Sequence, residues 1–174
     1  MGRIIIFMLS VLFAGPLWAQ PNPVVHTGTL MGRDGKSLGK ITVTEAPKGV
    51  ILRIEATGIS PGWHGVHFHE KGSCSAKDKF NDAGSHVHSE MPVVHGILNG
   101  NANDAGDLPN VFVGADGKLT VELYSTLVAV SPGNGRPALL DQDGSSLIIH
   151  GKPDDYESQP IGGAGERIAC AVIQ

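Results

Sequence analysis

The sequence predicts an all-β domain, an antiparallel sandwich or barrel, on three observations. Glycine (24) and proline (11) are well above their ordinary combined share of roughly 12% in the 174 residues, so the chain is rich in turns. Short stretches with strand-like apolar patterns recur along it. No amphipathic helix of useful length appears. The length fits one domain, and 41% hydrophobic residues are enough for its core.

Eight strands follow one another along the chain. A turn at 32–35 ends the first of them. Residues 40–45 alternate apolar and polar side chains, the pattern of a half-buried strand, and Pro47-Lys48-Gly49 turns the chain into the next one. Asp116-Gly117 lies between two apolar runs, as in a hairpin. The predicted strands are 24–31, 40–45, 50–56, 66–70, 111–113, 119–124, 146–150 and 168–173.

A polar stretch at 71–110 interrupts the strand pattern and is rich in glycine, asparagine and aspartate. Loops of this length inside a compact domain are usually functional or disordered. Histidines lie within this one, which favours a functional loop.

The first 19 residues have the features of a secretory signal peptide. Arg3 supplies a positive charge, and residues 4–13 form an apolar run of about ten residues. A membrane anchor, the alternative, needs about 20 such residues. The segment has no cysteine, which excludes a lipid-modified one at the cleavage point. We expect cleavage near Ala19–Gln20, a mature domain of residues 20–174, and export to the periplasm or, alternatively, the extracellular space.

The charge balance argues against a nucleic-acid partner. The chain has 13 lysines and arginines against 17 acidic residues, a formal net charge of −4. Phosphate neutralisation needs a basic excess, and base stacking needs aromatic side chains, which are only 5% of this chain. We expect no nucleic acid among the partners.

The two cysteines, Cys74 and Cys170, both lie in the predicted mature domain. In an oxidising compartment the default expectation is one disulfide between them. Two separate buried thiols are the alternative. The C-x-x-C spacing of thiol redox motifs is absent.

Two histidines alternate along one predicted strand. Side chains point to opposite faces in turn, so His67 and His69 face one way while Val66 and Phe68 face the other. Neutral imidazoles suit copper and zinc, and zinc also accepts carboxylates. One such pair is a weak signal, but more candidate donors follow: His86, His88, His95, Asp104, Asp107 and His150.

The sequence resembles the copper/zinc superoxide dismutases over nearly the whole mature chain. Six motifs carry the resemblance, and they occur in the order found in that family and at close to its spacing. Gly-Val-His-Phe-His-Glu-Lys-Gly-Ser-Cys is the first and most specific of them. The matching segments are 65–74, 83–86, 94–96, 106–110, 147–150 and 162–173. The resemblance implies an eight-stranded Greek-key β-barrel with long metal-binding and electrostatic loops.

The resemblance also implies a ligand set for one copper and one zinc ion. Copper is expected on four histidines: His67, His69, His86 and His150. His86 is expected to bridge the two metals and to act as proton carrier. Zinc is expected on His86, His95, Asp107 and a fourth ligand.

The fourth zinc ligand is where this sequence departs from the family. The family has a histidine three residues before its zinc aspartate, and Asp104 stands there in this chain. We expect Asp104 to ligate zinc through oxygen. Two alternatives remain. His88 could be the fourth donor, or Asp104 could only solvate or cap the loop without binding zinc.

Other matching residues acquire expected roles in the same way. Cys74 and Cys170 are expected to form the family's disulfide. Arg167 is expected to attract the anionic substrate beside copper. Asp154 is expected to hydrogen-bond one copper histidine and one zinc histidine, His67 and His95. Glu166 could damp the field of Arg167 if it points the same way.

The expected activity is dismutation of superoxide to dioxygen and hydrogen peroxide, as antioxidant defence outside the cytoplasm. The alternative is an exported copper- or zinc-binding module of the same fold without turnover. Family members include dimers and monomers, so a homodimer is expected only as one of two states. His26 and His64 have no family role and are expected at the surface.

Overall fold

The structure is a computed structural model that describes residues 24–133 and 135–174. The predicted signal peptide lies outside the described residues. Nine strands occur in the described ranges: β1 Val25–Gly32, β2 Ser37–Ala46, β3 Gly49–Thr57, β4 Gly62–His64, β5 Val66–His69, β6 Val111–Val113, β7 Lys118–Ser125, β8 Ser146–His150 and β9 Arg167–Val172. The other regular elements there are two single 3₁₀ turns, at Ala76–Asp78 and Asn81–Ala83. The all-β prediction is confirmed. In the same ranges no helix is long and apolar enough to cross a membrane.

Seven strands form one antiparallel sheet in the order β5-β8-β9-β1-β2-β3-β7. The other two, β4 and β6, pair antiparallel in a small second sheet. β4 leads into β5 through Gly65, and β6 leads into β7 through a turn at 114–117. The small sheet is therefore joined to both edge strands of the large one. The predicted Greek-key fold is confirmed, with one strand more than expected, because β4 had not been predicted.

The core lies on the inward faces of these strands. β2 and β3 bury alternate residues, and Ile41 pairs with Ile54 while Val43 pairs with Leu52, all at 0% exposure. Pairs of large aliphatic side chains on one face are what stabilises such a sheet.

The edge strand β5 is buried on both faces. Val66 and Phe68 pack into the core, while the loop that follows β5 covers its other side. Phe68 donates its backbone N–H to Gly106 and accepts one from Val87, both at 2.9 Å. A side chain at Gly106 would clash with the Phe68 carbonyl oxygen, so glycine allows this close approach. The long loop is thereby held along β5 like an added strand.

One disulfide joins Cys74 to Cys170 across 96 residues of sequence. Cys170 lies on β9 and Cys74 lies in the loop after β5. Phe80 and Ile148 are fully buried beside it. The disulfide prediction is confirmed, and the alternative of two separate thiols is wrong.

Candidate metal centre

Four histidine rings meet in the interior where β5, β8 and the loop after β5 come together. One ligand atom from each ring lies within 4.8 Å of the others, close enough to share one metal ion. None of the four residues is more than 2% exposed. They are His67, His69, His86 and His150.

Each ring is fixed by a hydrogen bond or ion-pair contact at one nitrogen. His67 Nε2 donates to Asp154 Oδ2 at 2.8 Å, and His69 Nδ1 donates to the Gly84 carbonyl at 3.0 Å. In each of these four rings the other nitrogen has no hydrogen-bond partner among the described residues: His67 Nδ1, His69 Nε2, His86 Nε2 and His150 Nε2. A buried polar atom without a partner is costly, so four of them in one cluster fit a metal ion that takes imidazole ligands.

His86 belongs to two clusters at once. Its Nε2 is one of the unpartnered nitrogens, while its Nδ1 lies 2.7 Å from Asp104 Oδ2 and 3.5 Å from Asp107 Oδ1. A second group of ligand atoms within 4.8 Å of one another comes from His67, His86, His95 and Asp107. One imidazole facing both groups can bridge two ions.

The carboxylates of Asp104 and Asp107 line the second group. His95 Nδ1 lies 2.7 Å from Asp107 Oδ1 and 3.4 Å from Asp104 Oδ2. Asp104 is absent from both four-atom groups found among the described residues, although its Oδ2 contacts both histidines. Two imidazoles and two carboxylates form a donor set that zinc accepts.

The structure places His88 elsewhere. Its Nδ1 hydrogen-bonds the backbone oxygen of His86 at 2.8 Å and lies 3.8 Å from Glu70 Oε2. Of the candidate histidine donors, His88 is the one that belongs to neither group in the described part of the chain.

Asp154 connects the two clusters. Its Oδ2 accepts from His67 Nε2 at 2.8 Å, and its Oδ1 accepts from His95 Nε2 at 3.1 Å. A side chain at Gly162 would overlap Asp154 Oδ1 and lie 2.9 Å from His95 Nε2, so only glycine leaves room for this contact. The carboxylate fixes the ring orientation and tautomer of both histidines.

Arg167 lies at the start of β9, half-buried beside the histidines. Its guanidinium donates to the carbonyl oxygens of Phe80 at 2.6 Å and Gly84 at 2.7 Å. Gly84 also accepts from His69, so one carbonyl touches both the arginine and a ring of the first cluster.

A sequence profile of the family described as copper/zinc superoxide dismutase (SODC) matches residues 37–173. The chain belongs to this family.

Individual relatives agree with the profile. The chain is 57% identical over 148 residues to the Cu-Zn superoxide dismutase of Caulobacter vibrioides, an alignment covering 85% of this chain and 84% of the relative. The crystal structure of a superoxide dismutase-like protein from Bacillus subtilis is 38% identical with a TM-score of 0.78, over 86% of this chain and 98% of that one. The Cu/Zn superoxide dismutase from Brucella abortus is 28% identical with a TM-score of 0.68, over 87% and 100%.

The first cluster favours neutral rings. Burial lowers the pKa of His150 to about 3, with His67 adding repulsion. Burial also holds the pKa of His69 well below its usual range, with repulsion from His86 and Arg167. The pKa of His67 is lowered by burial too, although its bond to Asp154 opposes this. Neutral imidazole is the form that binds metal.

The second cluster favours protonated rings when no metal is bound. Burial opposes the charge on His95, but hydrogen bonds to Asp104, Asp107 and Asp154 outweigh it and raise the pKa to about 11. The pKa of His86 is also raised, because Asp104 and Asp107 outweigh burial. A divalent cation and these protons compete for the same negative pocket.

His64 is buried, not at the surface, so that expectation is wrong. It is 2% exposed, and its two ring nitrogens lie 2.7 Å from the His150 carbonyl and 2.8 Å from the Ser60 carbonyl. Its ring links β4 to the end of β8, and no local sequence pattern predicts this contact.

Two further residues that support the site were also missed. Asn110 pairs its side-chain amide with the backbone of Asp154, at 2.8 Å in both directions. Gln159 pairs with the backbone of His95. Asn110 lies in the matched segment 106–110, and this position could have indicated a role at the site. No sequence pattern indicated Gln159, because its contact with His95 depends on how two loops meet.

Proposed function

We propose that the chain dismutes superoxide to dioxygen and hydrogen peroxide with one copper and one zinc ion as cofactors. The observation that carries this is the cluster of four buried histidines, each with one ring nitrogen that lacks a hydrogen-bond partner. Arg167 beside them supplies a positive charge for an anionic substrate. Copper and zinc also follow from membership of the family.

The residues divide into two ligand sets. Copper is assigned to four imidazoles: His67, His69, His86 and His150. Zinc is assigned to His86, His95, Asp104 and Asp107. A copper ion held by these imidazoles would supply one-electron redox chemistry, and the reduction of superoxide to hydrogen peroxide would also take up two protons.

The other roles fall to the protein. His86 holds a proton at Nε2 when that nitrogen is not ligated, and its Nδ1 stays on the zinc side against Asp104. Arg167 attracts and docks the superoxide anion with its guanidinium, which two backbone carbonyls hold in place. Asp154 keeps His67 and His95 oriented. His67 lies on β5 and Arg167 begins β9, so the sheet holds the backbone of these two residues before substrate arrives.

Substitution of copper ligands tests this assignment. His69→Ala and His150→Ala should abolish suppression of superoxide-dependent dye reduction while the protein stays folded, because the core is apolar and separate from these side chains. His26→Ala, on β1 outside both clusters, is the matched control and should keep full activity. Activity near wild type in either ligand variant with copper present would contradict the copper site. Copper binding without turnover in the wild type would favour the metal-binding module instead.

Export and assembly are further parts of the proposal. Residues 1–19 act as a cleaved signal peptide, the mature domain is 20–174, and the destination is the periplasm, with the extracellular space as the alternative. Mass spectrometry of the exported protein tests the cleavage site, and a retained residue 1 would contradict it. No nucleic acid takes part.

We also propose a homodimer. Trp63 and Phe112 are 57% and 56% exposed and pack edge to face across β4 and β6, which leaves an apolar aromatic pair at the surface. Aromatic side chains are enriched in protein interfaces. Sedimentation equilibrium of wild type and Trp63→Ser tests this, and a wild-type monomer at all concentrations would contradict it.

A further inference from the structure

We propose that Gln159 is a positioning residue for the zinc site, because its side chain holds the backbone of His95 in place. The inference rests on the proposed role of His95 as a zinc ligand. Gln159 itself touches neither the metal ligand atoms nor the substrate side of the site. It acts through His95 alone.

The side-chain amide of Gln159 makes a two-point contact with one residue. Its Oε1 accepts the backbone N–H of His95 at 2.9 Å, and its Nε2 donates to the His95 carbonyl at 2.7 Å. The second hydrogen of Nε2 goes to the Glu157 carbonyl at 3.0 Å, so the amide group is itself fixed. A primary amide used in this way stands in for the peptide group of a neighbouring strand.

His95 needs such a partner because its backbone has no strand pairing. His67, His69 and His150 lie on β5 and β8, inside the sheet. The remaining assigned ligands form isolated bridges: His86 with His69, Asp107 with His67, and Asp104 with His88. In the described part of the chain, His95 is the one assigned ligand outside both strands and bridges.

The same loop also holds the ring of His95. Asp154 accepts from His95 Nε2 at 3.1 Å, and Gln159 holds the backbone on the other side of the Cα. Three polar atoms of His95 are therefore fixed by residues within 154–159, and the fourth, Nδ1, is left facing Asp104 and Asp107. Fixing a ligand before the ion arrives removes an ordering cost from binding.

Partners that orient a metal ligand typically change metal affinity about 10- to 100-fold when removed. Gln159 is exposed to solvent, so water can replace part of its hydrogen bonding, and the lower end of that range is expected. Its exposure also means that substitution disturbs no core packing.

The experiment compares Gln159→Met, which keeps the length of the side chain without its amide, and Gln159→Ala. Gln142→Met is the matched control, an exposed glutamine in another loop. Zinc affinity is measured by chelator competition with the full mature protein, and copper affinity is measured in the same way. Cobalt(II) in the zinc site gives a visible spectrum that reports ligand geometry independently of activity.

We expect both Gln159 variants to lose about tenfold in zinc affinity and to show altered cobalt bands, while copper affinity stays within about threefold. The control should match wild type in all three measurements. Zinc affinity within twofold of wild type, or an equal loss of copper and zinc affinity, would overturn the proposal. His95→Ala separates this from the proposed function: if that variant keeps full zinc affinity, the ligand assignment itself is wrong.

Discussion

Asp104 brings a second carboxylate to the cluster proposed to bind zinc, 2.7 Å from His86 Nδ1 and 3.4 Å from His95 Nδ1. Because Asp107 is there as well, two negative charges face the place assigned to one divalent cation. The same charges stabilise protonated histidines, which accounts for the raised pKa of both rings. One residue thus affects both metal affinity and its dependence on pH.

Replacing Asp104 tests its role as a ligand. Asp104→Ala should lower zinc affinity by about 100-fold or more, since a whole ligand and its charge are lost, while copper binding is largely kept. Asp104→His restores the family's usual ligand and should keep zinc bound. His88→Ala should leave zinc affinity unchanged, because that ring faces the His86 carbonyl. Chelator competition on the three variants shows whether Asp104 or His88 is the fourth zinc ligand. Loss of zinc in His88→Ala, with zinc kept in Asp104→Ala, would assign the ligand to His88 instead.

Zinc binding should release protons, and copper binding should release few. The raised pKa of His95, about 11, keeps its ring protonated at neutral pH in the metal-free protein, and zinc needs that ring neutral. The pKa of His86 is also raised, because Asp104 and Asp107 outweigh burial. About one proton per zinc from His95 is expected at pH 7, and zinc affinity should rise with pH until this ring deprotonates. The lowered pKa of His69 and His150 leaves no such protons to displace. Calorimetry in buffers of different ionisation enthalpy measures the number of protons released per metal ion. Equal proton release for zinc and copper would contradict the prediction.

The loop between β5 and β6 connects the disulfide to Arg167, the arginine proposed to attract the substrate. Cys74 is covalently tied to β9, Phe80 is buried beside the bridge, and the carbonyls of Phe80 and Gly84 hold Arg167. Ser73 and Ser75 bond to Asp82, which stiffens the same segment. The bridge therefore contributes to the position of a charged side chain as well as to stability.

Loss of the disulfide should lower both the stability of the protein and its activity. Cross-linking a loop of nearly 100 residues stabilises a protein by about 4–5 kcal/mol in the chain-entropy account, so a Cys74→Ser/Cys170→Ser variant should lose free energy of unfolding of that order. Its activity per bound copper should also fall, because the carbonyls that hold Arg167 become mobile. Denaturant unfolding and activity per copper measure the two effects, with reduced wild type as the matched comparison. An unchanged activity per copper would show that the loop is held without the bridge.

Most strands were predictable from the sequence, and β4 was not. β4 and β6 have three residues each, but β6 is the apolar run Val-Phe-Val, whereas β4 is Gly-Trp-His and is defined by its pairing with β6 about 50 residues later. His64 illustrates the same limit, since its burial depends on carbonyls contributed by residues 60 and 150. The candidate ligands could be named because histidine pairs and spacing are local signals. Supporting contacts such as that of Gln159 arise only when two irregular loops meet.

Arg167 differs from Arg33, Arg53 and Arg136 in the charge of its partners, and this matters because the molecule as a whole is negative. The chain is net negative at −4, and removal of the proposed signal peptide, residues 1–19, would take away Arg3 and no acidic residue and leave a charge of −5. Arg33 and Arg53 are neutralised by carboxylates within 3.3 Å, and Arg136 lies 3.9 Å from Glu45. Among the described residues, Arg167 has carbonyl partners and no carboxylate within ion-pair distance. Glu166, the neighbouring residue, is paired with Arg33 at 2.6 Å.

Arg167 should therefore supply local attraction for an anion on a protein that repels anions overall. Burial lowers the pKa of the guanidinium, with Asp82 and Asp78 opposing this. A charge of this kind acts on the association rate, and salt screens it over about 10 Å at 0.1 M ionic strength. Activity of the wild type should fall as ionic strength rises.

Arg167→Ala should keep its copper, lower the rate by about tenfold or more, and flatten the dependence on ionic strength, because the attracting charge is gone. Arg167→Lys should fall between the two, since it keeps the charge without the fork that both carbonyls hold. Glu166→Gln is the matched control: its carboxylate is already engaged by Arg33, so the rate and its salt dependence should change little. Pulse radiolysis over a series of salt concentrations, with copper content measured on the same samples, tests all three. Loss of copper in Arg167→Ala, or an unchanged rate, would place Arg167 outside substrate attraction.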